Sequence, residues 1–186
     1  MRAIPTSFVL ALLSLAVSAQ GQPPTPIPTP TRTAIPDTAG PAKRIWCSTP
    51  RDIQEVWFRR TLDFKKPGAR PRLWFSCDNE CAVFVNGKQV GTCSDHQQLC
   101  CAQLDQPLTG KTTIAVYAKN TGSCAAMSLW LLWDDADGAH EMVTDENWRA
   151  STSEAEHWHE PAFDDSQWEL ATPNFDTTFG RNFYNG

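Results

Sequence analysis

Carboxylates are concentrated in two short turns of the sequence. They are Asp134, Asp135 and Asp137 in the first turn, and Asp164 and Asp165 in the second. A glycosidase needs two carboxyl groups that face each other across a sugar, roughly 5 to 10 Å apart and inside a cleft. Aspartates that adjoin Gly or Ser are the residues that tight turns use. We therefore interpret both groups as turn formers, and we expect no catalysis from this chain.

The segment His157-Trp158-His159-Glu160 most resembles a metal site. In an extended chain His157 and His159 point to the same side, as two ligands would. A metal also needs a third ligand and hydrogen-bond partners that orient the ligands, and no nearby residue is an obvious candidate. We interpret the segment as a polar edge around a buried Trp158. The sequence also lacks a G-x-S-x-G nucleophile motif and a glycine-rich phosphate loop.

Aromatic residues are a third possible source of chemistry, because the sequence contains eight tryptophans. An exposed ring stacks on the apolar face of a pyranose while polar groups bind the hydroxyls. Trp57, Trp74 and Trp130 occupy the strand faces opposite the predicted core, so they are the candidate ligand-binding residues. Contact with a neighbouring domain and burial under a loop are the alternatives for these three side chains.

The elements that must position these residues are predicted to be β-strands. In the segment VWFRRTLDF, alternation places Val56 and Phe58 on an inner face and Trp57 and Arg59 on an outer face. Leu62 and Phe64 also lie on the inner face, and Arg60 is the only polar residue on that face. Further strands are predicted at RLWFSC, CAVFV, KQVG, TTIAVYAKN, MSLWLLW and HEMVTD. Asn86-Gly87 predicts a type I′ hairpin turn.

No segment of ten or more residues has clear helical periodicity. The run MSLWLLW is almost continuously apolar, which indicates a central strand covered on both faces. The pattern as a whole predicts an all-β fold, an antiparallel β-sandwich of jelly-roll type. Its inner face is expected to be packed and its outer face to be solvated.

The two ends of the chain differ from this pattern. Residues 1–19 have the charge, the apolar run and the small-residue cleavage site of a signal peptide, which predicts secretion to the periplasm or the cell exterior. Residues 20–42 are rich in Pro and Thr and predict a disordered linker. The sandwich is expected over residues 43–173, and residues 174–186 are a tail or the start of a further linker.

Charge and cysteine content narrow the function further. The net charge of −5 argues against partners such as nucleic acid or an anionic membrane surface. A cluster of basic residues is interpreted as exposed loop charge; it comprises Arg59, Arg60, Lys65, Lys66, Arg70 and Arg72. Seven cysteines in a secreted chain suggest disulfides. Cys77 and Cys81 flank a three-residue turn between two strands, and we expect them to form a disulfide that closes a hairpin.

The order of these motifs resembles a known family. Five motifs occur in succession along the chain. They are an IW opening, a W-F-R-R-x-L strand, the segment D-N-x-C-x-V-F-V-N-G-K, an N-T-G turn and a closing F-D-D-S-x-W. This order is similar to the galactose-binding-like β-sandwich modules of α-L-rhamnosidases and of β-galactosidase and β-glucuronidase enzymes. The resemblance covers residues 45–171 and departs from the family in the cysteine-rich loop at residues 93–101. It implies that Asp165, Ser166 and Trp168 form a structural lock.

The resemblance also implies ligands and a function. Many such sandwiches hold a structural calcium, and the turn at residues 134–138 is the densest oxygen source, with Asp135 and Asp137 as the first candidate ligands. No other cofactor is expected. The implied function is a non-catalytic, carbohydrate-binding accessory module for a plant or microbial polysaccharide. The alternatives are the front end of a larger secreted glycoside hydrolase, with an adjacent catalytic domain, and a structural or adhesion module that binds protein.

Overall fold

A computed structural model describes residues 41–174 of the chain. The predicted signal peptide, residues 20–40 of the predicted linker and residues 175–186 of the predicted tail lie outside the described residues. The described residues contain strands and turns but no helix, and so no helix long and apolar enough to cross a membrane. The predicted all-β class is therefore confirmed.

Eleven strands make up the described part of the chain. They are β1 (Ile45–Trp46), β2 (Gln54–Asp78), β3 (Glu80–Val85), β4 (Lys88–Cys93), β5 (Cys100–Gln103), β6 (Leu108–Asn120), β7 (Ala126–Asp135), β8 (Gly138–Val143), β9 (Arg149–Ser151), β10 (Glu169–Leu170) and β11 (Thr172–Pro173). All pairings between them are antiparallel.

Strand β2 belongs to two sheets. Its first half pairs with β6 and β9, in a sheet of order β10-β9-β2-β6-β3-β4 that we call sheet B. Its second half pairs with β5 and β7, and β7 also pairs with β1 and β8, in a sheet that we call sheet A. The register of β2 shifts between residues 64 and 72, where the strand passes from one sheet to the other.

The core lies between the two sheets. Val56 and Phe58 on sheet B are fully buried, as the alternation predicts, and Leu62 and Phe64 pack against the core with partial exposure. Sheet A contributes Leu73 and other apolar side chains of the same cluster, which include Phe75, Met127, Leu129 and Leu131. Residues Met127 to Leu131 of β7 are buried on both faces, which confirms the prediction of a central strand.

Parts of the outer faces of the sheets are covered, in contrast to the prediction, while Thr61 and Asp63 on sheet B remain exposed. On sheet B, Trp57 is 6% exposed and lies in a cluster with Trp158, beneath the coil of residues 155–168. On sheet A, Trp74 and Trp130 are buried together with Ala42, a residue that the sequence places in the linker. Alternation shows which strand face is more apolar, but it does not show whether a distant coil covers the other face.

Arg59 is the most consequential of these covered residues. The sequence predicts an exposed loop charge, yet Arg59 is 1% exposed. Its Nε donates to Asp165 Oδ2 at 2.9 Å, and its terminal nitrogens donate to the backbone carbonyls of Trp158, Glu160 and Phe163. These bonds give the guanidinium the partners that a buried cation needs. They also hold the coil of residues 155–168 against sheet B.

The Asp-Asp-Ser-x-Trp motif forms an ion pair with this arginine through Asp165. Asp165 accepts the bond from Arg59, and its carbonyl accepts a hydrogen bond from the amide of Trp168 at 3.0 Å. Asp164, rather than Asp165, binds the amide of Ser166. The motif therefore joins the closing turn to a strand about a hundred residues earlier in the chain.

Two local predictions have different outcomes. Asn86 and Gly87 have φ values of 49° and 84°, the positive angles that a type I′ turn requires. The predicted hairpin at Cys77 and Cys81 is wrong, because β2 ends in sheet A while β3 begins in sheet B. Both thiols are free and buried in the core. Burial, and a hydrogen bond with Cys81, raise the pKa of Cys77 well above its ordinary value.

The disulfide of the structure joins Cys93 to Cys100 instead. These residues end β4 and begin β5, and both are buried in the core. The bond closes the connection that leads from sheet B back to sheet A. This connection is the cysteine-rich loop in which the sequence departs from the family pattern.

Replacing Arg59 is expected to destabilise the fold strongly. Arg59→Met leaves the Asp165 carboxylate and three carbonyls without their donor, a change that costs about 3 to 5 kcal/mol for a buried pair. The measurement is the free energy of unfolding in urea. The control is Lys65→Ala, since Lys65 is 82% exposed beside Asp63 and should change stability by less than about 1 kcal/mol. Equal urea midpoints for Arg59→Met and the parent protein would contradict this role of Arg59.

The cysteines should differ in accessibility. We expect peptide mapping without reduction to link Cys93 to Cys100. In the folded protein an alkylating reagent should modify the exposed Cys124 first, while the buried Cys77 and Cys81 react only after unfolding. A peptide cross-linked through Cys77 and Cys81 would restore the pairing that the sequence predicts and contradict the free state of these two thiols in the structure.

Candidate functional site

The connections between strands gather at one end of the sandwich. Register pairs Gln54 with Asn120, and Asp78 with Ala126, so the segments 47–53, 78–80 and 121–125 adjoin each other. Cys81 pairs with Cys93, which adds the loop of residues 94–99. We call this end the loop end. Loops at the end of a sandwich are where such folds place binding residues, because a rigid scaffold holds them.

Side-chain amides hold the loop end together. Asn79 Oδ1 accepts hydrogen bonds from the amide of Thr121 at 2.7 Å and from its hydroxyl at 2.8 Å. Asn120 is fully buried, and its Nδ2 donates to the carbonyl of Arg51 at 3.0 Å. Gln54 Oε1 accepts from the indole of Trp46 and from the amide of Arg51. The loops are therefore fixed by side chains of the strand ends.

A cleft of about 280 Å³ opens on the outer face of sheet A at the loop end, and we call it the sheet A cleft. Its floor comes from β2 and β7, whose outward-facing hydroxyls are those of Ser76 and Ser128. Charged and ionisable side chains surround this floor. They are Arg44, Asp78, His96 and Cys124.

The electrostatics of the sheet A cleft centre on Asp78. Burial raises the pKa of this carboxyl, and the nearby His96 and Arg44 oppose the rise without cancelling it. Ser76 is 4% exposed, and its hydroxyl has no hydrogen-bond partner among residues 41–174. A partly desolvated carboxylate and a hydroxyl in one cleft are typical of a ligand site. Arginine donates, the carboxylate accepts and serine does both, so the set suits a ligand rich in hydroxyls.

A second cleft, of about 410 Å³, lies on the sheet B side of the loop end, and we call it the sheet B cleft. Its walls include Arg51, Glu55, Trp57, Lys119 and Asn120. The Tyr117 hydroxyl donates to Glu55 at 2.8 Å beside it. Burial and this carboxylate raise the pKa of the Tyr117 hydroxyl well above its ordinary value.

The three tryptophans that the sequence selects do not offer open ring faces. Trp74 and Trp130 are 1% and 2% exposed, so the alternative of burial under other chain segments applies to both. Trp57 lines the sheet B cleft, but most of its ring is covered by the cluster around Trp158. The half-exposed tryptophans among the described residues are Trp133 and Trp168.

The candidate calcium turn is occupied by ion pairs. Asp135 accepts hydrogen bonds from His140 Nε2 and from the amide of Asp137, both at 2.7 Å, and these bonds lower the pKa of its carboxyl. Asp137 pairs with Lys66, and Asp134 pairs with Arg70. The candidate calcium ligands Asp135 and Asp137 therefore both have side-chain partners in this turn. Across residues 41–174 no group of three or more His, Cys, Asp or Glu forms a metal-binding cluster.

The two histidines beside Trp158 also have other partners. His157 contacts Glu156 and Glu160, whose charges raise the pKa of the imidazole. The ring of His159 stacks on Phe84, with ring centres 5.0 Å apart. Trp158 between them is 5% exposed. This arrangement agrees with the interpretation of a polar edge around a buried tryptophan.

Sequence analysis missed the residues of the sheet A cleft. In the sequence, Asp78 belongs only to the predicted turn between Cys77 and Cys81, and His96 belongs only to the cysteine-rich loop of residues 93–101. Arg44 and Ser76 carry no motif, because a single polar residue at a strand end has many structural roles. Only the pairing of β2 with β7 and the approach of the loops bring these side chains together.

Comparison with known proteins agrees with this architecture. No family model matches the chain. An α-L-rhamnosidase of Streptomyces avermitilis is 33% identical over 124 residues, which cover 62% of this chain and 12% of the enzyme. A crystal structure of the S. avermitilis α-L-rhamnosidase superposes with a TM-score of 0.66 and 29% identity, over 71% of this chain and 14% of the enzyme. The chain resembles one β-domain of α-L-rhamnosidases.

A lectin has a similar fold. The apo form of Pleurotus ostreatus lectin superposes with a TM-score of 0.60 and 25% identity, over 77% of this chain and 47% of the lectin. A second structure of that lectin, in complex with GalNAc, gives a TM-score of 0.62 at 23% identity. The chain thus spans less than half of the lectin and about an eighth of the enzyme. The galactose-binding-like resemblance is confirmed.

Substitution of Asp78 should change stability in a pH-dependent way. Because its pKa is raised, the folded protein binds the proton more tightly than the unfolded chain does. The ionised carboxylate therefore lowers stability at neutral pH, and this cost vanishes below the unfolded pKa of about 3.9. We expect Asp78→Asn to raise the melting temperature at pH 7, with a smaller difference at pH 3.

Asp164→Asn is the matched control, and we expect it to change the melting temperature at pH 7 in the opposite direction. The amide and side chain of Ser166 lower the pKa of Asp164, so its carboxylate stabilises the fold above the unfolded pKa. This stabilisation is lost as the pH falls through the lowered folded pKa. Asp164→Asn should therefore lower the melting temperature at pH 7 and lose this effect in acid. Melting shifts of the same sign in both variants would show that burial does not dominate at Asp78.

Proposed function

We propose that this chain is a secreted, non-catalytic carbohydrate-binding accessory module and that the sheet A cleft binds the sugar. The observation that carries the proposal is the convergence of Asp78, Arg44 and the hydroxyl of Ser76 in one cleft. Sugar hydroxyls donate and accept hydrogen bonds, so they match a carboxylate beside a guanidinium. A binding site needs no second carboxylate facing the first, in contrast to the site of a glycosidase.

The size of the sheet A cleft defines the ligand further. Pockets for small molecules begin at about 300 Å³, and this cleft is close to that lower limit. One sugar unit fits such a volume, so the cleft would hold a single residue of a plant or microbial polysaccharide. The cleft has no open tryptophan face among its walls. Affinity for a monosaccharide would therefore come from hydrogen bonds and be weak.

The comparisons supply the first sugars to test. The S. avermitilis enzyme was crystallised with L-rhamnose, and the P. ostreatus lectin with GalNAc. Both sugars present adjacent hydroxyls to a protein. We select them as probes because those proteins share this fold with the chain.

The accessory role is supported by how little of the enzyme the chain matches. It corresponds to 12% of the S. avermitilis rhamnosidase, which is the share of one domain of that enzyme. In this proposal the sandwich would hold a glycan near the catalytic domain of a glycoside hydrolase. Residues 1–19 would direct the protein out of the cytoplasm.

Loss of the Asp78 charge should weaken sugar binding. A hydrogen bond to a charged group contributes about 1.5 to 3 kcal/mol, so Asp78→Asn should lower the affinity for L-rhamnose or GalNAc about tenfold or more. Isothermal titration calorimetry measures this loss. Asp137→Asn is the control, because its carboxylate pairs with Lys66 outside both clefts and its loss should leave affinity unchanged.

The stability prediction separates binding from folding. Asp78→Asn is expected to be at least as stable as the parent protein at pH 7, so lost binding cannot be ascribed to unfolding. Absence of binding to L-rhamnose, to GalNAc and to every sugar of a glycan array would refute the proposed function. Unchanged affinity in Asp78→Asn would instead refute the sheet A cleft as the site.

A further inference from the structure

The sheet B cleft repeats the chemical composition of the sheet A cleft. Arg51 corresponds to Arg44 as a guanidinium donor, and Glu55 corresponds to Asp78 as a carboxylate acceptor. Lys119 supplies a second basic side chain, as His96 does. Both clefts also contain hydroxyls, which in the sheet B cleft belong to threonines.

Hydrogen bonds position the polar groups of the sheet B cleft. The hydroxyl of Tyr117 donates to Glu55 Oε1 at 2.8 Å, so the carboxylate is oriented but keeps further acceptor sites. Asn120 is fully buried and holds the backbone of Arg51 through a 3.0 Å hydrogen bond to its carbonyl. These contacts come from β6 and β2, so strands rather than free loops fix the site.

The basic side chains of the sheet B cleft are available to a ligand. Neither the guanidinium of Arg51 nor the ammonium of Lys119 has an ion-pair or hydrogen-bond partner among the described residues. Trp57 also lines the cleft, but this residue is only 6% exposed. A donor pair and an oriented acceptor are what hydrogen bonding to the hydroxyls of a pyranose requires.

Charge around the cleft selects a neutral ligand over an anion. Glu55 lines the cleft itself, and the charges of Glu80 and Glu154 act on the adjacent Tyr117 together with Glu55. These carboxylates offset Arg51 and Lys119, so an anionic sugar gains little from the site. A neutral sugar uses the donors and the acceptor alike.

We propose that the sheet B cleft is a second subsite for a neutral sugar, so that the module binds glycan at two places on its loop end. This inference rests on the proposed function of the sheet A cleft. Asn79 follows Asp78 of the sheet A cleft in the chain, and Thr121 follows Asn120 of the sheet B cleft. The amide and hydroxyl of Thr121 donate hydrogen bonds to Asn79 Oδ1, which links the two clefts. The subsites are therefore held at a fixed separation, which favours simultaneous binding to a polysaccharide.

The test is a nuclear magnetic resonance titration of the isotope-labelled full chain with L-rhamnose and with GalNAc. We expect two groups of amide shifts, one around Ser76 and Asp78 and one around Glu55 and Lys119. Glu55→Gln should abolish the second group and leave the first. Glu156→Gln is the matched control, because Glu156 is exposed beside His157 and lines neither cleft. An unchanged melting temperature shows that Glu55→Gln is folded.

Each outcome decides between the two proposals. If only the group around Asp78 shifts, the second subsite is refuted and the proposed function stands. If neither sugar shifts any amide and no sugar of the glycan array binds, the proposed function fails and the inference fails with it. If Glu55→Gln loses both groups at an unchanged melting temperature, the clefts form one site and the second subsite is refuted.

A soluble polymer that carries many L-rhamnose groups gives an independent measurement. Two subsites on one module raise its affinity for such a polymer through a high effective concentration. We expect both Glu55→Gln and Asp78→Asn to weaken polymer binding at least about tenfold, while each retains monosaccharide binding at the other cleft. Polymer affinity equal to the parent's in Glu55→Gln would refute the second subsite.

Discussion

The buried guanidinium of Arg59 is the interaction on which the rest of the domain depends. A cation removed from water is costly unless it is paired and hydrogen-bonded, so this residue requires a carboxylate and several carbonyls around it. Asp165 and the backbone of residues 158–163 supply them, which brings the coil of residues 155–168 across sheet B. That coil then covers Trp57 and completes a second apolar cluster. This ionic contact thereby covers part of the outer face of sheet B.

The sharing of β2 between two sheets has a comparable effect on the site. Because one strand runs through both layers, its start and its end both reach the loop end, next to the ends of β6 and β7. Side-chain amides such as Asn79 and Asn120 join the resulting loops without a helix or a further strand. The two clefts are a consequence of this arrangement, since each lies on the outer side of one sheet beside the shared loops.

Sequence reasoning succeeded where a pattern is local and failed where it needs a partner. The inward residues of β2, the apolar strand β7 and the turn at Asn86-Gly87 were predicted because alternation, hydrophobicity and positive φ preferences act over a few residues. The hairpin between Cys77 and Cys81 was mispredicted because the short connection crosses from one sheet to the other. The tryptophans selected as sugar platforms are covered by segments distant in sequence. The cleft residues Ser76 and Asp78 carry no periodic signal.

The sequence by itself determined the all-β class, the strand periodicity and the family resemblance, because these depend on side-chain alternation and on the order of short motifs. Only the tertiary structure decided that Arg59 is buried, that Cys93 pairs with Cys100 and that Asp78 shares a cleft with Arg44 and Ser76. These features arise from contacts between residues up to about a hundred positions apart. The free energy of such contacts depends on burial and on the position of a partner, and neither quantity is encoded in the neighbouring residues of the chain.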